Sequence, residues 1–109
     1  MKQFGLYANQ DKDTNQAYPY FVDVQNELLD GLSSRVVIPL IALEKPKSAQ
    51  VNVYPQNLCP VVEIDRKKFV LMTHQMTSVP IRMLKAEQGS LVQHRDAIVA
   101  AIDFLVTGI

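Results

Sequence analysis

The side chains that could carry out nucleophilic or metal chemistry are few and lack suitable neighbours. Cys59 is the only cysteine and stands between Leu58 and Pro60, an apolar setting expected to raise the pKa of the thiol and keep it unreactive. His74 and His94 are twenty positions apart, and neither has a cysteine at zinc-ligand spacing. Because zinc sites need several ligands at short spacings, we expect no metal site.

Two acidic pairs, Asp11 with Asp13 and Asp23 with Glu27, have the residue types of general acids and bases. Nothing in the sequence places a substrate near either pair. The four glycines are scattered along the chain and cannot form a phosphate-binding loop. We therefore expect no catalytic residues, no cofactor and no enzymatic activity.

The charges of the chain balance, with 11 Lys and Arg residues against 11 Asp and Glu residues. A neutral protein has no field that attracts a phosphate backbone, so independent binding to nucleic acid is not expected. The short basic run Arg66–Lys68 is better explained as a solvated turn between two strands. Contact with DNA is expected only indirectly, through another protein.

The 109 residues and the apolar content of 48% suit one small domain, residues 1–109. A domain of this size buries only about two thirds of its unfolded surface, so pairing with a second copy would add stability. No apolar run reaches the roughly 18 residues of a membrane span, and the segment Met1–Gly5 lacks the apolar core of a secretion signal. With the single cysteine, these features predict a homodimer in a reducing compartment, which for a bacterial protein is the cytoplasm, and no membrane partner.

Most of the chain has the pattern of short β-strands separated by polar loops. Apolar and polar residues alternate in Tyr20–Gln25, which is typical of a strand. Pro39 lies within the apolar run Arg35–Leu43 and cannot donate a ladder hydrogen bond, so it predicts an edge strand or a bulge. Loops, the first of them mobile, are expected at Asn9–Gln16 and Glu44–Gln50. The other predicted strands are Phe4–Tyr7, Val61–Asp65, Phe69–Thr73 and Val79–Leu84.

The C-terminal segment changes to a helical period. Ser90 and Gln93 have the spacing of a capping box, and Gly89 can supply the bend before it. Gly108 stands where the end of a helix favours a residue that tolerates positive φ. Apolar residues at helical spacing predict one core-facing helix; they are Leu91, Ile98, Ile102 and Leu105.

The end of this predicted helix is apolar on nearly every side, which is unusual on the surface of a small domain. Phe104 points away from the core stripe, so either a second copy or the curled sheet must cover it. Ile109 ends the sequence after a flexible glycine, whereas chain ends usually fray and are polar. Ile109 either enters a pocket of a partner or folds back onto its own sheet, and both alternatives are open.

Five segments resemble the CcdB toxins of bacterial toxin–antitoxin pairs, in order and in spacing, over nearly the whole chain. Each segment alone is a weak signal, whereas five in sequence are specific. They are Tyr20–Asp30 (YFVDVQNELLD), Arg35–Leu40 (RVVIPL), Cys59–Ile64 (CPVVEI), Thr73–Pro80 (THQMTSVP) and Ala101–Ile109 (AIDFLVTGI).

The resemblance implies an α+β fold that is mostly β: an SH3-like barrel of antiparallel strands with an added small sheet and one C-terminal α-helix. It also implies a homodimer that binds the A subunit of DNA gyrase and traps this enzyme on cleaved DNA. A CcdA-type antitoxin neutralises such a toxin, and the two proteins together repress their own operon. Systems of this kind serve plasmid maintenance.

The resemblance further implies that the end of the helix contacts gyrase. Gly108 and Ile109 match the last two residues of the family's Trp-Gly-Ile tail, and Asp103 and Val106 lie on the helix before it. Thr107 stands in place of the Trp, whose indole is thought to stack on a gyrase arginine. We therefore expect the gyrase contact to differ at Thr107, because a threonine cannot make a cation–π interaction.

A second part of the implied gyrase surface comes from the first shared segment. Leu28 and Leu29 match an aliphatic pair there that also contributes to gyrase binding in the family. The loop Asn9–Gln16 is longer than the family pattern and could tune the choice of antitoxin. It lies apart from the residues that match the gyrase site.

Two other functions remain open on the sequence. The same barrel occurs in RNA-cleaving toxins of the MazF and Kid type, which need a basic groove and an arginine-centred acid–base site; Arg35 and Arg82 are the candidates here. A non-toxic homologue that only binds antitoxin is the other alternative, and Thr107 is consistent with it.

Overall fold

The computed structural model describes residues 2–43 and 55–108 of the chain. Within these ranges it contains seven β-strands, one α-helix and four short 3-10 turns. The strands are β1 (Gly5–Ala8), β2 (Tyr20–Asp23), β3 (Ser34–Ala42), β4 (Val61–Ile64), β5 (Lys67–Leu71), β6 (Thr77–Pro80) and β7 (Glu87–Ser90). The helix is α1 (Arg95–Thr107), and the 3-10 turns are Glu27–Leu29, Thr73–Gln75, Ile81–Met83 and Val92–His94. The predicted loop Glu44–Gln50 lies outside the described residues.

The strands form one seven-stranded sheet in the order β4-β5-β3-β2-β1-β7, with β6 also paired to β3. Every pair of neighbouring strands is antiparallel. The sheet curls into a half-barrel that carries the single C-terminal helix, which confirms the expected fold class. The predicted hairpin is also present, because β4 and β5 pair across Asp65 and Arg66. The prediction that the whole basic run is a turn was wrong, since Lys67 and Lys68 belong to β5.

Strand β3 is central rather than at an edge, and Pro39 lies at a discontinuity on one of its sides. On that side β3 pairs with β6 along Ser34–Val37 and with β5 along Leu40–Ala42, so Pro39 falls between the two partners. The Pro39 carbonyl accepts a hydrogen bond from the amide of Met72 at 2.9 Å. Because the amide and carbonyl of one residue face the same side of a strand, the missing N–H of Pro39 faces this junction and costs no ladder bond.

Alternating side chains of β3 enter two apolar clusters on opposite faces of the sheet. Ile38 and Leu40 have no exposed surface and pack in the cluster that includes Ile98 of α1. Val37 is equally buried in a second cluster with Tyr7, Phe21 and Leu84. The centre of the sheet is therefore covered on both faces, which explains why β3 is a nearly continuous apolar run.

The helix confirms the predicted end but not the predicted start. Gly108 has φ of 76° and donates its amide to the carbonyl of Phe104, as expected of a left-handed helix cap. The capping-box prediction was wrong: Ser90 belongs to β7 and its Oγ accepts from the amide of Val92 at 3.1 Å. The helix begins only at Arg95, after a 3-10 turn.

The predicted core stripe is confirmed except at Leu105. Leu91, which precedes the helix, and Ile98 are buried in the main core cluster, and Ile102 packs against it, whereas Leu105 is 38% exposed. Ala101 is a further buried residue of the helix. Ala101 was missed because a small residue adds little to an apolar pattern, although its size lets the helix approach the sheet closely. None of the described helices is both long and apolar enough to span a membrane.

Two further differences concern the segment before the helix. The predicted strand Val79–Leu84 is shorter than expected, since β6 ends at Pro80 and the chain then turns at Ile81–Met83. Strand β7 was not predicted, because its four residues Glu87–Ser90 are polar or glycine and all exposed. Its pairing with β1 comes from backbone hydrogen bonds, for which the sequence shows no periodic signal.

The loop Asn9–Gln16 is organised by side-chain hydrogen bonds. The buried Asn9 donates from Nδ2 to the Tyr18 carbonyl at 2.8 Å and to Thr14 Oγ1 at 3.0 Å. Its Oδ1 accepts from the amide of Asp11, whose own carboxylate accepts from Asp13 and Thr14. The carboxylate of Asp11 thus shapes the loop, whereas Asp13 takes part through its backbone amide.

Candidate functional site

The last turn of α1 gathers four of the residues that the resemblance assigns to partner binding. Asp103, Val106, Thr107 and Gly108 are all exposed, and Val106 retains 71% of its surface. The left-handed conformation of Gly108 ends the helix here. Burying a valine side chain of this exposure stabilises a contact by about 1–2 kcal/mol. Ile109, the remaining residue of the predicted tail, lies outside the described residues.

Thr107 uses its hydroxyl within the helix. Thr107 Oγ1 donates to the carbonyl of Asp103 at 2.7 Å. Because α1 includes Thr107, the Asp103 carbonyl is also within reach of the Thr107 amide, and the hydroxyl adds a second hydrogen bond to it. The hydroxyl donates its proton to the helix, and its oxygen remains able to accept a hydrogen bond from a partner.

Beside this turn, α1 exposes an apolar strip. Ala97 and Ala100 are exposed, Leu105 is 38% exposed and Phe104 is half-buried. The chain's own sheet therefore covers Phe104 only in part. The sequence offered two explanations for this face: cover by a second copy or by the curled sheet. Because the sheet leaves part of Phe104 exposed, apolar surface remains that a second copy could cover.

Leu28 and Leu29 lie on a separate element, the 3-10 turn Glu27–Leu29 that follows β2. Leu28 is 90% exposed and Leu29 is 51% exposed. The turn has no buried residue, so it presents its apolar side chains outward instead of using them in the core. This turn, called the Leu28 turn below, is therefore a second exposed apolar segment.

A cleft of about 600 Å³ adjoins the Leu28 turn through Glu27. Tyr7 is the aromatic residue in its lining, and it is buried. Burial raises the pKa of Tyr7 above its ordinary value, and the nearby carboxylate of Glu87 raises it further. The sequence contains no signal for this cleft because its walls come from distant segments: Lys2, Gln3, Gly5, Tyr7, Glu27, Glu87, Gly89, Ser90 and Val92.

Arg35, a candidate for RNA chemistry, is buried inside the protein. Its Nε donates to Asp23 Oδ2 at 2.8 Å, and neither side chain is exposed. Nη2 donates to Asp23 Oδ1 and to the Gln25 carbonyl, and Nη1 donates to Asp30 Oδ1 at 3.2 Å. An arginine held in this way cannot reach a phosphate, and the other candidate, Arg82, is exposed on a different turn.

Cys59 and His74 come together although they are distant in sequence. Cys59 is buried, and its Sγ lies 3.6 Å from His74 Nδ1. Burial raises the pKa of the Cys59 thiol, while a hydrogen bond from the backbone of Thr73 opposes part of this rise. A buried, protonated thiol is a poor nucleophile. Within residues 2–43 and 55–108, no group of three His, Cys, Asp or Glu residues could hold a metal ion.

The comparison with known families agrees with the resemblance read from the five segments. A family model described as CcdB protein matches residues 3–108, nearly the whole chain. That family implies a gyrase-targeting toxin of a toxin–antitoxin system. The match includes both exposed apolar segments, the Leu28 turn and the last turn of α1. This chain therefore belongs to the CcdB family.

Proposed function

We propose that the protein is a toxin that binds the A subunit of DNA gyrase and stabilises the complex in which the DNA is cleaved. The observation that carries this proposal is the exposed apolar end of α1 in a chain that the CcdB family model covers. Val106 remains largely exposed in a domain whose core is otherwise well filled. Exposed apolar surface of this kind commonly marks a protein contact.

The proposed mechanism is binding without chemistry by the toxin. The last turn of α1 and the Leu28 turn contact gyrase, and the contact favours the cleaved conformer over the resealed one. A ligand shifts such an equilibrium only by its difference in affinity for the two states. A preference of about 2.7 kcal/mol would raise the ratio of cleaved to resealed complex about a hundredfold.

Support for a non-enzymatic toxin comes from the candidate catalytic groups. Arg35 is buried and its guanidinium is engaged by Asp23, Asp30 and the Gln25 carbonyl. Cys59 is buried, and its raised pKa favours the unreactive thiol. RNA cleavage by acid–base chemistry needs an accessible arginine or base. The burial of Arg35 and Cys59 therefore counts against the MazF and Kid type, of whose two arginine candidates only Arg82 is exposed.

The partners that we propose are a second copy of the chain, gyrase and a CcdA-type antitoxin. The partly exposed Phe104 and the exposed Ala97 and Ala100 offer apolar surface for dimerisation. In the proposed cytoplasmic setting, the antitoxin covers the toxin, and the two proteins together bind the operator of their own operon. The protein itself contacts DNA only through antitoxin or gyrase, consistent with its balanced charge.

Calorimetric titration of the purified gyrase A subunit with the protein tests the proposal. We expect saturable binding that weakens about tenfold in Val106→Gln, because a polar side chain cannot fill an apolar pocket. Val92→Gln is the matched control: Val92 is also an exposed valine, it is not part of the proposed contact, and its variant should bind as the unaltered protein does. Equal weakening by both changes, or the absence of binding at micromolar concentrations, would contradict the assignment.

Growth after induced expression without antitoxin separates the toxin from a non-toxic homologue. Toxicity that is relieved by a gyrase resistance mutation supports the proposal. Healthy growth with soluble protein would instead assign the chain to the antitoxin-binding homologues, with Thr107 as the position to examine. The variant Thr107→Trp tests that position, since an indole can stack on an arginine and contribute about 0.5–2 kcal/mol.

A further inference from the structure

The Leu28 turn is an exposed apolar segment that does not hold itself in place by packing. Leu28 and Leu29 are both exposed, and no residue of the turn Glu27–Leu29 is buried. Short 3-10 turns have poor hydrogen-bond geometry and little intrinsic stability. Something outside the turn must therefore fix the direction in which Leu28 points.

Hydrogen bonds from the preceding residues fix the start of the turn. Asn26 Oδ1 accepts from the amide of Leu28 at 2.8 Å. Gln25, which is buried, donates from Nε2 to the Leu29 carbonyl at 3.1 Å, and its Oε1 accepts from the amide of Val36 at 3.0 Å. The Gln25 side chain thus connects the turn to strand β3.

The guanidinium of Arg35, which is buried, forms hydrogen bonds at both ends of the turn. Arg35 Nη2 donates to the carbonyl of Gln25, before the turn, and Nη1 donates to Asp30 Oδ1, at the residue that ends it. The charge of Arg35 is already balanced by Asp23, since both side chains are fully buried and paired at 2.8 Å. Asp30 is 51% exposed, so the fold does not need it to neutralise the arginine.

From this geometry we infer that Asp30 and Arg35 are positioning residues for gyrase binding: the pair holds the Leu28 turn in the conformation that its partner recognises. The effect on gyrase affinity rests on the proposed function, whereas the ordering of the turn by Asp30 and Arg35 does not. A turn that is already ordered binds more tightly because less conformational freedom is lost on association. Asp30 acts through Leu28 and does not itself touch the partner.

Amide hydrogen exchange of the free protein tests the mechanism without gyrase. In Asp30→Ala, we expect exchange at the amides of Leu28, Leu29 and Asp30 to become about tenfold faster, because these amides donate to hydrogen bonds of the turn. The melting temperature should fall by no more than about 3 °C, as expected for a half-exposed ion pair. Asp13→Ala is the matched control, since it removes an exposed carboxylate from a different loop. Unchanged exchange in Asp30→Ala would overturn the inference, whether or not the protein binds gyrase.

A double-mutant cycle on gyrase affinity tests the consequence. We expect the Kd for the gyrase A subunit to rise about fivefold to tenfold in Asp30→Ala. In a Leu28→Ala background the same change should have almost no further effect, because the two residues act on one contact. Full additivity of the two losses would show that Asp30 affects binding independently of Leu28 and would overturn the positioning role. If the unaltered protein does not bind gyrase, the proposed function fails, and the exchange result still decides whether Asp30 orders the turn.

Discussion

Arg35 and Asp23 form an ion pair in which Nε and Oδ2 are 2.8 Å apart and neither side chain has any exposed surface. Asp23 ends β2 and Arg35 lies near the start of β3, so the pair joins two neighbouring strands at the end of the sheet from which the Leu28 turn leaves. A buried pair of this kind is retained only when its remaining hydrogen bonds are satisfied. Here the Gln25 amide and carbonyl and the carboxylate of Asp30 supply them.

The first prediction concerns the stability that depends on this pair. Arg35→Ala leaves the carboxylate of Asp23 buried without its counter-ion, which should lower the free energy of unfolding by about 3–5 kcal/mol. Urea unfolding followed by circular dichroism measures this change, at one protein concentration because a dimer's stability depends on it. Arg82→Ala removes an exposed arginine and should change stability by less than about 0.5 kcal/mol. A loss below about 1 kcal/mol for Arg35→Ala would show that the buried pair does not stabilise the fold.

The second prediction concerns the end of α1. Gly108 has φ of 76°, and nothing lies within 4 Å of a Cβ added there, so Gly108→Ala is penalised by its backbone alone. We expect a loss of about 1 kcal/mol, seen as a lower melting temperature. Gly31→Ala is the control, because Gly31 also has open space around its Cβ position but no positive φ. Equal effects of the two changes would contradict the left-handed cap.

The third prediction concerns the reactivity of Cys59. Because burial raises the pKa of this thiol above 9.0, alkylation in the native protein at pH 8 should be at least about tenfold slower than in urea. Labelling with iodoacetamide followed by mass spectrometry measures both rates. Rapid labelling of the native protein would contradict a buried, protonated thiol.

The same raised pKa fixes the sign of a pH dependence. The folded state favours the neutral thiol, so its contribution to stability is fully present below pH 9.0 and is lost as the pH rises through the higher pKa of the folded state. Cys59→Ala should therefore lose less stability than the unaltered protein between pH 8 and pH 10 in urea unfolding. Tyr7, whose pKa is also raised, contributes a loss of the same sign at higher pH in both proteins. A steeper loss in Cys59→Ala would reverse the assigned sign.

Most strands and the end of the helix could be predicted from the sequence, because an apolar pattern or a glycine within a few residues indicates each of them. The strand predictions at Tyr20–Gln25 and Arg35–Leu43 overlap β2 and β3, whose residues pack on one or both faces of the sheet. The cap at Gly108 follows from the conformational freedom of a single glycine. Strand β7 has no such signal, since its four exposed residues pair with β1 only through the backbone.

The candidate site was predictable only in part. The resemblance identified Leu28, Leu29 and Val106, and all three are exposed. Composition alone could not show that Arg35 is buried, because an arginine is usually exposed and its partners lie on other elements, Asp23 on β2 and Asp30 at the end of the Leu28 turn. The contact between Cys59 and His74 was hidden for the same reason, since tertiary structure alone brings the two together.

The formation of cleaved DNA by gyrase in the presence of the purified protein tests the central claim most directly. Supercoiled plasmid is incubated with gyrase and increasing concentrations of the protein. The amount of linear DNA is then quantified after denaturation and proteolysis. The proposed function predicts that linear DNA accumulates with toxin concentration, that Val106→Gln requires about ten times more protein for the same yield, and that Val92→Gln matches the unaltered protein. No linear product at micromolar protein, with gyrase still supercoiling its substrate, would contradict the assignment of this chain as a gyrase poison.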